Sequence, residues 1–202
     1  IEAQELFTDK GKARYALLMS EALDKNYIDI ESDSLIRDAV DYYDTHNDRH
    51  SAMLAWYYEG LVLKNGQHYS SAIVALDRAR KLAERNEDSF QLGLIYRNIA
   101  SIHNRTNNNS EAIRNHSLSV HCFEQANASL YQAYVELDLA VDHFNNKNYY
   151  ATDSLIRIIR SKYDHPSILN RCSILQANIL VEKKENLEEA LTLYRNTPLR
   201  FH

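Results

Sequence analysis

The feature that most constrains this chain is a self-similarity at a period close to forty residues. The small residues Ser32, Ala72, Ala112, Thr152 and Ala190 follow one another at intervals of 40, 40, 40 and 38. Twelve residues before them lie Ser20, Gly60, Ala100, Ala140 and Asn178. Four residues after them lie Ile36, Leu76, His116, Ile156 and Tyr194, and seven after lie Ala39, Ala79, Ser119, Ile159 and Thr197. A period of this length means one supersecondary unit copied along the chain. Each copy stacks on the next because none buries its apolar face alone.

The residues within a unit say which unit it is. Trp56, Gly60 and Leu63 share one side of a 3.6-residue helix, and Ala72, Leu76 and Ala79 share one side of another. Between them lies Lys64-Asn65-Gly66-Gln67-His68, where Gly66 is expected to take the left-handed conformation that ends a helix. Each unit therefore reads as an antiparallel pair, A then B. Helices are expected over 11–26, 31–46, 49–64, 69–86, 89–105, 110–126, 129–146, 149–163, 166–183 and 187–196. Asp88-x-x-Gln91, Asn108-x-x-Glu111, Ser129-x-x-Gln132 and Asn186-x-x-Glu189 have capping-box form. Pro166 suits a first helical turn, where its missing N–H costs nothing.

Composition agrees. Four glycines and two prolines in 202 residues are too few for the tight turns of a β-rich fold or for phosphate-binding loops. No apolar run reaches the ~18–20 residues that cross a membrane. The net charge of −5 is uneven, with twelve acidic against six basic residues in the first fifty. Neither part carries the basic footprint of a nucleic-acid binder. Cys122 and Cys172 make neither a zinc box nor a disulfide framework, and read as small buried hydrophobes.

Trp56-x-x-Glu59-Gly60-x-x-Leu63 followed by Ala72, Leu76 and Ala79 resembles the tetratricopeptide repeat. Tyr96, Ile99, Ala100 and Ala112 give the next unit the same likeness. Glu59, Glu136 and His116 depart from it, standing where the family has Leu, Trp and Phe. The period is that of long-period variants found in bacterial regulatory and envelope proteins. The resemblance implies an all-α, right-handed α-α superhelix of five hairpins, near 13–48, 49–88, 89–128, 129–165 and 166–197. It implies one repeat domain over 1–202. Ile at position 1 and the stop at Phe201-His202 read as the ends of a fragment of a longer protein. Among compartments, the cell envelope behind a lipid anchor is favoured over the cytoplasm.

The chemistry expected is binding. There is no His-Glu-x-x-His for a metal and no Gly-x-Ser-x-Gly for a nucleophile, and Asp142 and His143 point about 100° apart on one helix. No cofactor, metal or catalytic role is expected. The resemblance implies a protein or peptide partner held in the concave groove lined by A helices. Carried over by position, the partner-binding residues are Tyr57, Tyr58, Leu61, Arg97, Asn98, Ser101, Asn104, Arg105 and Asp138, with Leu17, Glu21, Leu137, Val141, Leu175 and Ile179 beside them. Tyr57 and Tyr58 are expected to be partly exposed, offering aromatic area at low entropic cost. Arg97, Asn98, Asn104 and Arg105 suit a carboxylate or a peptide backbone. The alternative is a sensor segment controlling an effector domain of a larger bacterial regulatory protein.

Overall fold

The computed structural model describes residues 8–197, so the two chain ends lie outside the described residues. The chain is all-α. Its helices are α1 (Asp9–Lys25), α2 (Ser34–Tyr43), α3 (Arg49–Asn65), α4 (Tyr69–Arg85), α5 (Ser89–Arg105), α6 (Asn109–Gln125), α7 (Ser129–Asn145), α8 (Tyr149–Lys162), α9 (Pro166–Glu182) and α10 (Leu187–Asn196). Among the described residues there is no strand, and no helix is long and apolar enough to cross a membrane. The helices gather into two compact units, one ending at Ile102 and one beginning at His103.

The forty-residue period has a plain structural origin. Helices α3 to α7 are each 17 residues long and are joined by three-residue turns, so each helix with its turn spans twenty. Each turn closes in the same way. The amide of the third turn residue returns to a carbonyl five residues back: His68 to Leu63 at 2.8 Å, Asp88 to Ala83 at 3.0 Å, Asn108 to His103 at 2.8 Å, Ala128 to Phe123 at 2.9 Å and Asn148 to His143 at 2.9 Å. These bonds satisfy carbonyls that a helix end otherwise leaves unpaired.

That third residue is also the N-cap of the next helix. Asp88, Asn108 and Asn148 turn their side-chain oxygens onto the amides of Gln91, Glu111 and Ala151. One residue thus ends one helix with its N–H and starts the next with its side chain. Asn186 caps α10 through Glu189, and Pro166 opens α9. The expected box at Ser129 does not form. Helix α7 begins at Ser129 itself, its N-cap is Ala128, and Gln132 bonds Glu136 instead.

The left-handed residue is not the expected glycine. Gly66 has φ −72°, and Gln67 takes φ 62°. The turn geometry places the left-handed residue one position before the shared cap, and in the chain's register that is Gln67. Glu87, Asn107, Asn127 and Lys147 occupy the same place at the same spacing, with φ between 53° and 57°. For L residues this conformation costs roughly 1–2 kcal/mol.

The repeat register holds at the level of side chains. Ala72, Ala112, Thr152 and Ala190 are buried, as are Ser20, Gly60, Ala100 and Ala140. A Cβ built on Gly60 would sit 2.6 Å from Leu76 Cγ, so α3 and α4 approach as closely as they do only because position 60 lacks one. Ser32 breaks the pattern. Helix α2 is only ten residues long and begins at Ser34, which leaves Ser32 exposed in the preceding loop. Ile36, Ala39, Val40 and Tyr43 nonetheless enter the core of the first unit with Leu76, Ala79, Ile95 and Ile99. The second unit has its own core, from Ala133, Leu137 and Ala140 through Ile156 and Ile159 to Ile168, Cys172 and Leu175. Both cysteines are buried, and neither forms a disulfide.

Two outcomes follow from the packing. Lys147→Gly relieves a left-handed Cβ and should raise stability in urea denaturation by about 0.5–1 kcal/mol, the steric gain exceeding the added entropy of the unfolded chain. Gly60→Leu should lower it by about 1–3 kcal/mol through overpacking against Leu76, while Arg85→Ala on the exposed face should stay within about 0.5 kcal/mol.

Candidate functional site

Helices α3 and α5 place the expected partner-binding residues of the first unit, and half of them prove to be core. Tyr57 and Tyr58 are only 5% and 7% exposed, and Leu61 is equally buried. For Tyr58 and Leu61 the cause is the segment ahead of them. Ser20 and Asp24 of α1 and the loop Ile28-Asp29-Ile30 close over Tyr58 and Leu61, leaving a cavity of only about 20 Å³. Asn65 donates to Asp29 across 3.1 Å and holds the loop there. Burial pushes both tyrosine hydroxyls well above their ordinary range. The two rings meet edge to face at 5.2 Å. Leu17, expected beside them, is buried as well.

Asn98 does not present a free amide. It donates to the Leu94 carbonyl at 2.9 Å and to the Tyr57 hydroxyl at 3.4 Å, and it accepts from Lys64 Nζ at 2.6 Å. It ties α5 to α3. Arg97 and Ser101 of the same helix are half-buried and reach the surface.

In the second unit, Asn104 is likewise committed inward. Its amide donates to Asp142 Oδ1 at 2.7 Å, while His116 Nδ1 lies 2.5 Å from Asp142 Oδ2. His116 and Asp142 are both buried. Arg105 is exposed, and the half-buried Asp138 accepts from Arg171 of α9 at 3.3 Å. Leu137, Leu175 and Ile179 belong to the core rather than to a surface.

The three departures from the repeat pattern turn out to be buried polar residues. Glu59, His116 and Glu136 are each under 5% exposed. Each faces a partner on the neighbouring helix: Glu59 with Arg37 at 3.5 Å, His116 with Asp142, and Glu136 with Lys162 at 3.1 Å, while Gln132 of its own helix also donates to Glu136 at 3.0 Å. Tyr163, beside Glu136, has its hydroxyl pushed up to about 12, mainly by burial. Each pair straddles a turn, and in the two later pairs the first residue lies ten before it and the second fourteen after it. His116–Asp142 and Glu136–Lys162 are both 26 residues apart in sequence. Sequence reasoning saw the three departures and missed their partners. For His116 and Glu136 the signal available was a complementary group at that same offset, whereas Glu59 and Arg37 are 22 apart.

The residues expected to act together therefore divide. Arg97, Ser101, Arg105 and Asp138 remain at the surface, while Asn98 and Asn104 serve as internal ties and Tyr57, Tyr58 and Leu61 as core. Among the described residues, no group of three His, Cys, Asp or Glu side chains is placed to hold a metal ion.

No known protein family matches this chain, and no curated protein matches it in sequence. Among solved structures, the crystal structure of BtubC (BKLC) from P. vanneervenii is similar. It superposes with a TM-score of 0.72 over 93% of this chain and 77% of that one, at 15% sequence identity. The likeness is one of fold.

Breaking the internal ties should be costly. Asp142→Ala strands His116 and Asn104 without their acceptor and should cost about 3–5 kcal/mol in chemical denaturation. Asn98→Ala loses the inter-helix ties to Tyr57 and to the Lys64 ammonium and should cost about 1.5–3 kcal/mol.

Proposed function

We propose that this chain is a protein-interaction module of the tetratricopeptide-repeat type, which recognises a peptide or protein partner and carries out no catalysis. One observation carries the reading: helices α3 to α7, of equal length and joined by equal turns, repeat their residue positions at a fixed spacing. In the first unit the binding surface is the outer side of α5, with Arg97 and Ser101 beside the Lys64–Asn98 tie. In the second it is Arg105 with the Asp138–Arg171 pair. Internal ties hold these donors in fixed places, which lowers the entropy lost on binding. The guanidinium of Arg97 suits a carboxylate or a run of backbone carbonyls. Tyr57, Tyr58 and Leu61 support this surface from beneath and do not touch the partner.

The test is capture of partners from the native host, followed by titration calorimetry with whichever partner is recovered. Arg97→Glu should leave the melting curve almost unchanged and weaken binding tenfold or more, about 1.4 kcal/mol or greater. Equal affinity for parent and variant would remove the α5 surface from the reading.

A further inference from the structure

A second feature of the first unit lies on the opposite side of α3. A cleft of about 410 Å³ runs between α2 and α4. Arg37 stands on one wall, and Ser70, Val74 and Arg78 on the other. Trp56, Glu59 and Leu63, three and four residues apart, form the floor from α3.

Glu59 is the unusual member. It is 4% exposed, and its Oε2 has no hydrogen-bond partner in the protein. A buried carboxylate oxygen with no donor is costly, and such groups in native proteins call for an explanation. The nearby guanidiniums do not supply one. Arg37 pairs with Asp33 and reaches only as far as Glu59 Oε1, 3.5 Å away. Arg78 lies 4.3 Å above the Trp56 ring and 3.8 Å from Asp44, which itself accepts from the Trp56 indole N–H at 2.9 Å. Asp41 adds its field to that of Asp33 at Glu59. Four carboxylates thus act on this cleft against two guanidiniums, so it favours a cation.

The apolar parts say which cation. Val74 is 58% exposed at the mouth, and Leu63 and Ala75 continue the apolar lining inward. An aliphatic stem fits along such a lining while a compact charged head reaches a polar end. One unpartnered oxygen suits a single ammonium rather than a planar guanidinium fork. The geometry points to a pocket for a lysine side chain of a partner protein, its stem against Leu63 and Val74 and its ammonium donating to Glu59 Oε2. This pocket shares no residue with the α5 surface and stands whether or not that surface binds.

Trp56 is the only tryptophan, so its indole N–H resonance reports on this cleft alone. The full chain is titrated with Nα-acetyl-lysine N-methylamide while that resonance is followed by proton–nitrogen correlation spectra. A saturable shift in the millimolar range is expected, the strength open to so small a probe. The norleucine analogue, with the same stem and no ammonium, should give no saturable shift. Glu59→Gln keeps the shape and loses the charge, and should weaken binding at least tenfold. The parent protein gives a second readout that needs no variant. Burial holds the Glu59 carboxyl above its ordinary range, with Arg37 opposing, so binding should fade as pH is lowered and the carboxyl takes up its proton. No saturable shift with the lysine probe would overturn the proposal. So would equal binding of the norleucine analogue, undiminished binding by folded Glu59→Gln, or a shift produced by Nα-acetyl-glutamate N-methylamide in place of the lysine probe.

Discussion

The regular part of this fold depends on a backbone hydrogen bond that spans five residues at the end of each helix from α3 to α7. In five successive turns the amide of the third turn residue closes the helix behind it. Because that residue is also the cap of the helix ahead, neither helix can lengthen without disturbing the other. The turn sets the helix length at 17 residues, and the helix length sets the period. A helix of that length is about 25 Å long, some five turns, and presents one small residue to its neighbour at the same height in each copy. Gly60, Ala100 and Ala140 stand at that height, and the close approach of α3 to α4 over Gly60 shows why size matters there.

The chain tolerates a strained turn to gain this regularity. Gln67, Glu87, Asn107, Asn127 and Lys147 hold left-handed backbones without being glycine. The strain is offset by the carbonyls the turn satisfies and by the packing that a fixed helix length permits. The polar pairs inside the units follow from the same geometry. A hairpin folded about a fixed turn brings the same offsets together in each copy: Glu136 and Lys162, like His116 and Asp142, lie ten residues before and fourteen after their turn. A buried charge without such a partner is a liability. Glu59 and Glu136 each keep one carboxylate oxygen without a hydrogen-bond partner, and Glu59 does so beside an open cleft, where the structure invites something from outside.

Much of this architecture could be read from residues alone. The small residues at positions 60, 72, 100, 112 and 140 carry the period and face the core, so helix limits followed to within three residues. The left-handed position was not legible at Gly66. Glycine is permissive, but the turn's hydrogen bonding, not the residue's freedom, decides which position turns left-handed. Ser129 misled for a similar reason, since a capping residue one place late is simply the first residue of its helix. The site was less legible than the fold. Tyr57 and Tyr58 fall on the face expected to bind, and a local reading of α3 cannot show that residues 28–30 fold back over Tyr58 or that Asn98 of α5 meets the Tyr57 hydroxyl. Asn98 and Asn104 look like surface donors until their acceptors, on other helices, are in place.

The most direct test of this account is native-state hydrogen exchange at the turn amides of His68, Asp88, Asn108, Ala128 and Asn148. These residues lie between helices, where amides ordinarily exchange fast. If the long backbone bond at each turn defines the repeat, all five should be protected to nearly the degree of the helix interiors beside them. Exchange at unprotected rates, with the helix interiors still protected, would mean that the turns merely follow the helices and do not determine the period.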